Sequence, residues 1–332
     1  MIEVQKDEFS FTLPEGNELY YPITHEGRYS FYGLPVHVFS NSDGIEEFLC
    51  YFLGDHGPDI VTVHPIMIYM FVHDKPAGDK RTKPKAEYFL ENKYIQIYGS
   101  TIGICEGDTS KITIFISYDD LENEYWFVRH FMRRLLMYLV YRRMDICAFH
   151  ASAISFNNKA ILLLGPRGAG KSTIALHCLR RGFHYLSDDL VIRHLSVRDN
   201  TIWGEPWITF IRSDELRMYP EFQMTGSPHT KALVPLWEFY PNLLKRSAEL
   251  VGCFYLERID GPSKLQSISK EEILSLVQRD LTVLKQENEA HFIQRAIQHT
   301  AALFDRLPTM KLLNGKNLIH TVDCIQAFIK GK

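Results

Sequence analysis

No two cysteines in this 332-residue chain are spaced to grip a metal or to staple a small domain. Cys50, Cys105, Cys147, Cys178, Cys253 and Cys324 stand singly with no C-x-x-C pair, which argues against a disulfide framework and a zinc site. Reduced thiols in a core are the expectation. A dominant charge is also lacking, since 37 Lys and Arg against 40 Asp and Glu leave −3. Such a balance provides no electrostatic footprint for a nucleic-acid backbone. Long hydrophobic runs are missing too: the longest, Ile60 to Val72, is interrupted by His64 and Pro65 and falls short of the ~20 residues that span a bilayer. Met1 to Ser10 is polar and acidic, without the basic and apolar regions of a signal peptide. A cytoplasmic protein with no membrane and no nucleic-acid partner is therefore expected. What the chain does have is core material, 45% hydrophobic residues, enough for one large or two ordinary domains.

From Phe9 to about Ser117 the sequence offers β-rich runs, Tyr29 to Phe39, Ile60 to Val72, Tyr94 to Ile104 and Lys111 to Ser117. Turn signals Ser42-Asp43-Gly44 and Asp55-His56-Gly57-Pro58 separate them, and Asp74 to Lys85 reads as a solvated loop. Residues 1–120 are thus expected to form a β-rich domain or sheet extension without chemistry of its own, and 121–332 the functional core. A helix over Glu122 to Arg143 carries Trp126, Phe127, Phe131, Leu135, Leu136, Leu139 and Val140, interrupted by Arg129, Arg133, Arg134, Arg142 and Arg143. Those arginines read either as a docking strip for an acidic peptide or, more commonly, as stems snorkelling from a packed helix.

The stretch Gly165-Pro166-Arg167-Gly168-Ala169-Gly170-Lys171-Ser172-Thr173 follows the apolar run Ala160 to Leu164 and precedes a helical run to Arg181. Its G-x-x-x-x-G-K-[ST] spacing gives each part a separate duty around a polyphosphate. Glycines aim successive N–H groups inward as an anion nest. Lys171 reaches the β/γ-phosphates, and the Ser172 hydroxyl takes one position on an octahedral Mg²⁺. The helix N-terminus adds positive potential beneath them. Arg167 contributes its backbone, with its side chain directed to solvent. ATP and Mg²⁺ are the expected ligands.

Ile146 to Phe156 reads as a strand and Asn157-Asn158 as a tight turn, so a hairpin feeds the phosphate loop and the sheet is expected to be mixed. Gly182 stops the helix, and Phe183 to Ser187 forms a strand ending at Asp188-Asp189. A helix of ten residues retraces ~15 Å and a short strand returns a similar length. The two carboxylates therefore emerge on the same sheet edge as the loop. One is expected to serve Mg²⁺ and the other to face an incoming hydroxyl.

The string His150-Ala151-Ser152-Ala153, the phosphate loop, Arg181-Gly182-Phe183 and Ser187-Asp188-Asp189-Leu190-Val191 together resemble the HPr kinase-like superfamily, relatives of ATP-type phosphoenolpyruvate carboxykinases. The resemblance covers about His150 to Pro206 and continues weakly through Leu307 to Leu312. It implies an α/β phosphate-loop kinase core with a mixed sheet, transferring the γ-phosphoryl group of ATP to a hydroxyl, usually of a serine. Carried onto these positions, it puts Lys171 on the phosphates, Ser172 on Mg²⁺, Asp188 near the acceptor hydroxyl, Asp189 on the metal side and His150 in the site wall. Gly204-Glu205-Pro206 stands at the position of a short Gly-x-x-Pro element of that family. The signature of bifunctional HPr kinase/phosphorylases is missing after Pro206, where Trp207 to Arg212 stands, so the resemblance narrows to tailoring kinases of ribosomal peptides, lasso-peptide kinases among them. It leaves assembly into a homo-oligomer open.

Arg212 and Lys231 are further candidates as clamps on the transferring phosphate, against the plainer reading as surface cations. Glu205 is a candidate second metal partner or ribose contact, against an ordinary turn carboxylate. His150, in an apolar strand, reads equally as a core histidine and as a site residue. Gly226 to Lys231 has the composition of a lid. Downstream, helices are expected from the capping box Ser269/Glu272 to Leu284, over Glu287 to Arg306 and over Leu318 to Ile329. Two rivals to a peptide kinase share these residues, a nucleotide-binding regulator and a kinase of a small hydroxylated metabolite.

Overall fold

The structure, a computed structural model, describes residues 4–5, 8–12, 18–53, 64–73, 85–121, 127–142, 146–195, 200–212, 215–222, 231–282 and 290–331. The chain divides into two compact units, Met1–Met144 and Asp145–Lys332. The division does not fall at the 120/121 boundary expected from the sequence.

In the first unit β1 (Val4–Gln5), β2 (Glu8–Thr12) and β3 (Glu18–Pro22) form a three-stranded antiparallel sheet. Seven strands form a second sheet: β4 (His25–Phe31), β5 (Leu34–Ser40), β6 (Ile66–His73), β7 (Lys85–Leu90), β8 (Lys93–Tyr98), β9 (Thr101–Glu106) and β10 (Lys111–Ser117), in the order β4-β5-β6-β10-β9-β8-β7. A short helix, α1 (Glu46–Leu53), follows β5. Two of the β-rich runs are hairpins, because the chain turns at Tyr32-Gly33 (φ 51° and 77°) and at Gly99 (φ 61°). Alternation does the rest: Ile112, Ile114 and Ile116 of β10 are fully buried, with intervening residues half-exposed. The turn at 55–58 and the loop at 74–84 lie outside the described residues.

The expected long helix is described as a π-helical stretch, Phe127–Met132, running into α2 (Arg133–Arg142). It belongs to the first unit because its apolar face lies directly on β9. A Cβ on Gly103 would sit 2.5 Å from Leu135 and 2.9 Å from Phe131, so glycine is required where the helix approaches the strand. The Cys105 thiol donates to the Leu135 carbonyl at 3.3 Å. Of the interrupting arginines, Arg134 pairs with Glu87, and Arg142 lies 4.5 Å from the Tyr138 ring while bonding the Glu91 carbonyl. Both are tied to their own unit, in keeping with the packed-helix reading.

The second unit is three-layered. Its nine-stranded mixed sheet contains β11 (Ile146–Phe149), β12 (Ser152–Phe156), β13 (Lys159–Leu164), β14 (His184–Ser187), β15 (Val191–His194), β16 (Thr201–Trp203), β19 (Ser247–Arg258), β20 (Lys264–Ser267) and β21 (Thr309–Asn314). A separate hairpin pairs β17 (Ile208–Arg212) with β18 (Lys231–Pro235). The main path is β11-β15-β16-β19-β13-β12-β14, with β21 on β19 and β20 beyond it. β13 pairs parallel with β19, and β19 with β21, whereas β12 is antiparallel to both β13 and β14.

Helices α3 (Lys171–Arg180) and α6 (Leu318–Lys330) cover one face through Ile161, Leu163, Phe254 and Leu312. The face carrying Leu162, Leu164 and Tyr255 forms a second core with Ile273 and Val277 of α4 (Lys270–Thr282) and Leu303 and Phe304 of α5 (Ala290–Phe304). Ser269 Oγ accepts from the Glu272 amide at α4, as its capping box predicts. Among the described residues no helix is long and apolar enough to cross a membrane.

Candidate active site

The hairpin into the phosphate loop forms as the sequence predicts. Asn157 and Asn158 both adopt left-handed backbone (φ 51° and 64°), the twist of a two-residue antiparallel turn. β13 then ends at Gly165 (φ 140°), and Gly168 (φ 85°) and Gly170 (φ 99°) complete the curl. Ala169 N–H bonds the Pro166 carbonyl at 3.1 Å, and Ile174 N–H the Gly170 carbonyl at 2.9 Å. Helix α3 therefore starts at Gly170, which has no side chain to cap it. The first amides of the helix have no intrahelical acceptor, and they face the loop, the setting for an anion.

Lys171 is 7% exposed, its ammonium held by the Gly165 carbonyl at 2.7 Å and the Pro166 carbonyl at 3.3 Å. Pro166, Arg167 and Gly168 are exposed, and Ser172 and Thr173 are half-buried. Gly182 (φ 84°) terminates α3 with Phe183 N–H on the Cys178 carbonyl. β14 runs parallel to β13 and returns the chain to the carboxyl edge at Asp188.

The two aspartates occupy different environments. Asp188 is only partly covered as a residue, yet its carboxyl group is enclosed by hydroxyls. Ser152 Oγ donates to Oδ1 at 3.0 Å and Thr209 Oγ1 donates to Oδ2 at 2.8 Å, and the Ser172 hydroxyl of the phosphate loop stands near enough to the same carboxyl to lower its pKa. Burial pushes this carboxyl above its usual range; the bonds from Ser172, Thr209 and Ser152 pull it back, and the neighbouring Asp189 charge raises it again. Asp189 is exposed, and its Oδ1 lies 3.3 Å from His150 Nδ1.

His150 does not sit inside a strand. The run Ile146 to Phe156 breaks at His150-Ala151, because β11 pairs with β15 while β12 pairs with β13 and β14. The break frees the imidazole from the core. Its Nδ1 is also 3.0 Å from the Asp189 carbonyl oxygen, which can only accept. Nδ1 therefore carries the proton, and Nε2 is the basic nitrogen of the neutral ring.

The remaining candidates separate. A Cβ on Gly204 would lie 2.2 Å from the Leu186 carbonyl oxygen, so the Gly-Glu-Pro turn serves close packing beneath β14. Glu205 is half-buried in that turn. Arg212 lies on the face of β17 opposite Thr209, by alternation, and is exposed. Lys231 opposes Arg212 in the β17–β18 register, and its side chain, like the expected lid at 226–230, lies outside the described residues.

Sequence reasoning assigned no role to Ser152, Thr209, Arg258 or Asn314. Ser152 shares strand parity with Ile154, on the α3 face. Thr209 arrives from a hairpin outside the main sheet. A single buried Thr between Ile208 and Phe210 was the only available signal.

No family model matches the chain, and no curated protein matches it. Among solved structures it is similar to the Hpr(Ser) kinase/phosphatase from Coxiella burnetii, at 11% identity and a TM-score of 0.27, over 55% of this chain and 91% of that one. Similarity at that score carries no argument, and the functional reading rests on the site's geometry.

Proposed function

We propose that this protein is an ATP-dependent kinase that transfers the γ-phosphoryl group to a hydroxyl, with a serine of a peptide or protein as acceptor. The observation carrying this reading is the Asp188 carboxyl, held by Ser152 and Thr209 and near enough to the Ser172 hydroxyl for its pKa to be pulled down by it, beside the Lys171 loop. It joins a polyphosphate cradle to a hard-oxygen donor pair of the kind Mg²⁺ takes together with substrate phosphates. Among the described residues no group of three His, Cys, Asp or Glu side chains forms a cage of its own, which suits an ion held by one carboxylate, one hydroxyl and a nucleotide. Bound there, Mg²⁺ would neutralise charge on the β/γ-phosphates.

The environments favour exchanging the roles expected of the two aspartates. Asp188, with the Ser152 and Thr209 hydroxyls on its oxygens and Ser172 beside it, suits the metal side rather than an incoming acceptor. Asp189 and His150 stand exposed at the edge, where an acceptor can reach them. His150 Nε2 accepts the acceptor proton, and Asp189 orients the ring and stabilises the imidazolium that results. Lys171 and the loop amides supply positive charge to the phosphoryl group in flight. Transfer of this kind depends mainly on positioning and charge, so a modest base is sufficient.

The test is incubation with γ-labelled ATP and serine-containing peptides, including precursor peptides of ribosomal peptide pathways. Label on serine, absent from the Ser→Ala peptide, is the expected result. ATP binding with no label in any peptide or in a metabolite extract would replace this reading with that of a nucleotide-binding regulator.

A further inference from the structure

The phosphate loop has a second flank. Along the carboxyl edge of the sheet the strands run β14, β12, β13, β19, β21, so the loop after β13 lies between Asp188 at the end of β14 and the ends of β19 and β21. Those two ends are Arg258 and Asn314, paired directly in register, with the Ile259 amide on the Asn314 carbonyl at 3.1 Å. Strand parity puts Arg258 on the same face as Phe254 and Leu256, and Asn314 on the same face as Leu312. That is the face of α3, the helix the loop begins. The placement is close: a Cβ on Gly170 would lie 3.2 Å from Asn314 Nδ2 and 3.7 Å from a terminal nitrogen of Arg258.

Asn314 is 6% exposed and oriented by a one-way chain of hydrogen bonds. Gly315 N–H donates to Ser263 Oγ at 2.9 Å, Ser263 then donates to Thr321 Oγ1 at 2.7 Å, and Thr321 donates to Asn314 Oδ1 at 2.9 Å. With Oδ1 committed inward, the NH₂ group is the end that meets the loop. Arg258 is exposed beside it, and none of the ion pairs among the described residues engages its guanidinium. A fixed donor and an exposed planar cation against a phosphate loop suit an oxyanion chain.

We propose that Arg258 and Asn314 form the nucleoside-side half of the nucleotide site, both donating to the α/β-phosphates of a bound nucleoside di- or triphosphate. This rests on the kinase reading, in which Ser172 and Asp188 hold the γ-phosphate end on the opposite flank. The nucleotide then lies across the loop from Asp188 towards β21, its terminal phosphate at the carboxylates and its nucleoside beyond Arg258.

Equilibrium binding of MgADP and MgATP to the full chain tests the assignment. Arg258→Gln is expected to weaken both by about tenfold or more and by similar factors, since ADP and ATP share the α- and β-phosphates. Asn314→Asp keeps the acceptor for Thr321 but puts negative charge against the phosphates, and is expected to weaken both in the same way. An unchanged melting temperature of Arg258→Gln separates lost contact from lost fold. Affinities within twofold of the parent protein for both variants would overturn the proposal, as would a loss confined to MgATP, which would place Arg258 at the γ-phosphate. Failure of the parent protein to bind either nucleotide would overturn the kinase reading and this inference together. Binding by the parent with unaffected variants removes only the inference.

Discussion

Each unit contains a covered aspartate served by hydroxyl groups. In the first unit Asp120, 2% exposed, accepts from Thr101 Oγ1 at 2.7 Å, and its amide bonds Ser117 Oγ at 3.3 Å, closing the helical turn after β10. In the second, Asp188 accepts from Ser152 and Thr209, with the Ser172 hydroxyl beside it. The local chemistry is nearly the same. What differs is Ser172, which lies beside the second carboxyl and belongs to a loop curled by three left-handed glycines at the start of a helix. Bonded carboxylates of the first kind are a normal way to satisfy a buried turn. The comparison shows that burial and hydroxyl partners by themselves do not mark a site; Asp188 is set apart by the glycine-rich loop and the helix start beside it.

The largest expected effect tests the loop half of that contrast. Lys171→Ala removes the buried cation and should reduce nucleotide binding and phosphoryl transfer by roughly a hundredfold or more, read by calorimetry and by γ-label. Next comes the contrast between the two aspartates. Asp188→Asn should reduce transfer by about a thousandfold while leaving the unliganded protein as stable as its parent or more so, because it removes a carboxyl whose ionisation burial opposes. Asp120→Ala should do the opposite, lowering unfolding free energy by about 1–3 kcal/mol with transfer per folded molecule preserved. Loss of transfer in Asp120→Ala, or full transfer in Asp188→Asn, would break the comparison.

His150→Gln should slow transfer by about 10²-fold or more with nucleotide affinity unchanged, measured as turnover against binding. Weakened nucleotide binding in that variant would move His150 away from the acceptor side. The smallest effect is in stability against pH. Asp188 binds its proton more tightly folded than unfolded, where a carboxyl titrates near ~3.9. Its contribution is therefore fully present below that value and is lost as pH rises through the raised folded value. His177 and His184 have the reverse sign: burial lowers both, so their contribution is present above ~6.5 and is lost as pH falls through their folded values. Denaturation followed upward from about pH 4 should show the carboxyl slope in the parent and lack it in Asp188→Asn.

Much of the second unit was legible in the chain. The hairpin at Asn157-Asn158, the loop, the stop at Gly182 and the return to Asp188 are encoded by residues whose backbone preferences act locally. Less legible was the break at His150, since Ile146 to Phe156 is continuously strand-like and only the competition between two partner strands divides it. The division at Met144 was hidden for a similar reason. The helix over Phe127 to Arg142 carries an apolar face, and Gly103 shows its docking place only once Leu135 is seen against it.

The sequence alone determined that a curled glycine-rich loop stands between a strand and a helix and that two carboxylates return to its edge, because glycine, lysine and helix length act within a few residues of one another. Tertiary structure decided which carboxylate meets Ser172, that Thr209 from another hairpin holds it, and that Arg258 and Asn314 flank the loop. Those outcomes depend on strand order and parity across segments far apart in the chain. A one-residue change of register would turn each of these side chains to the opposite face.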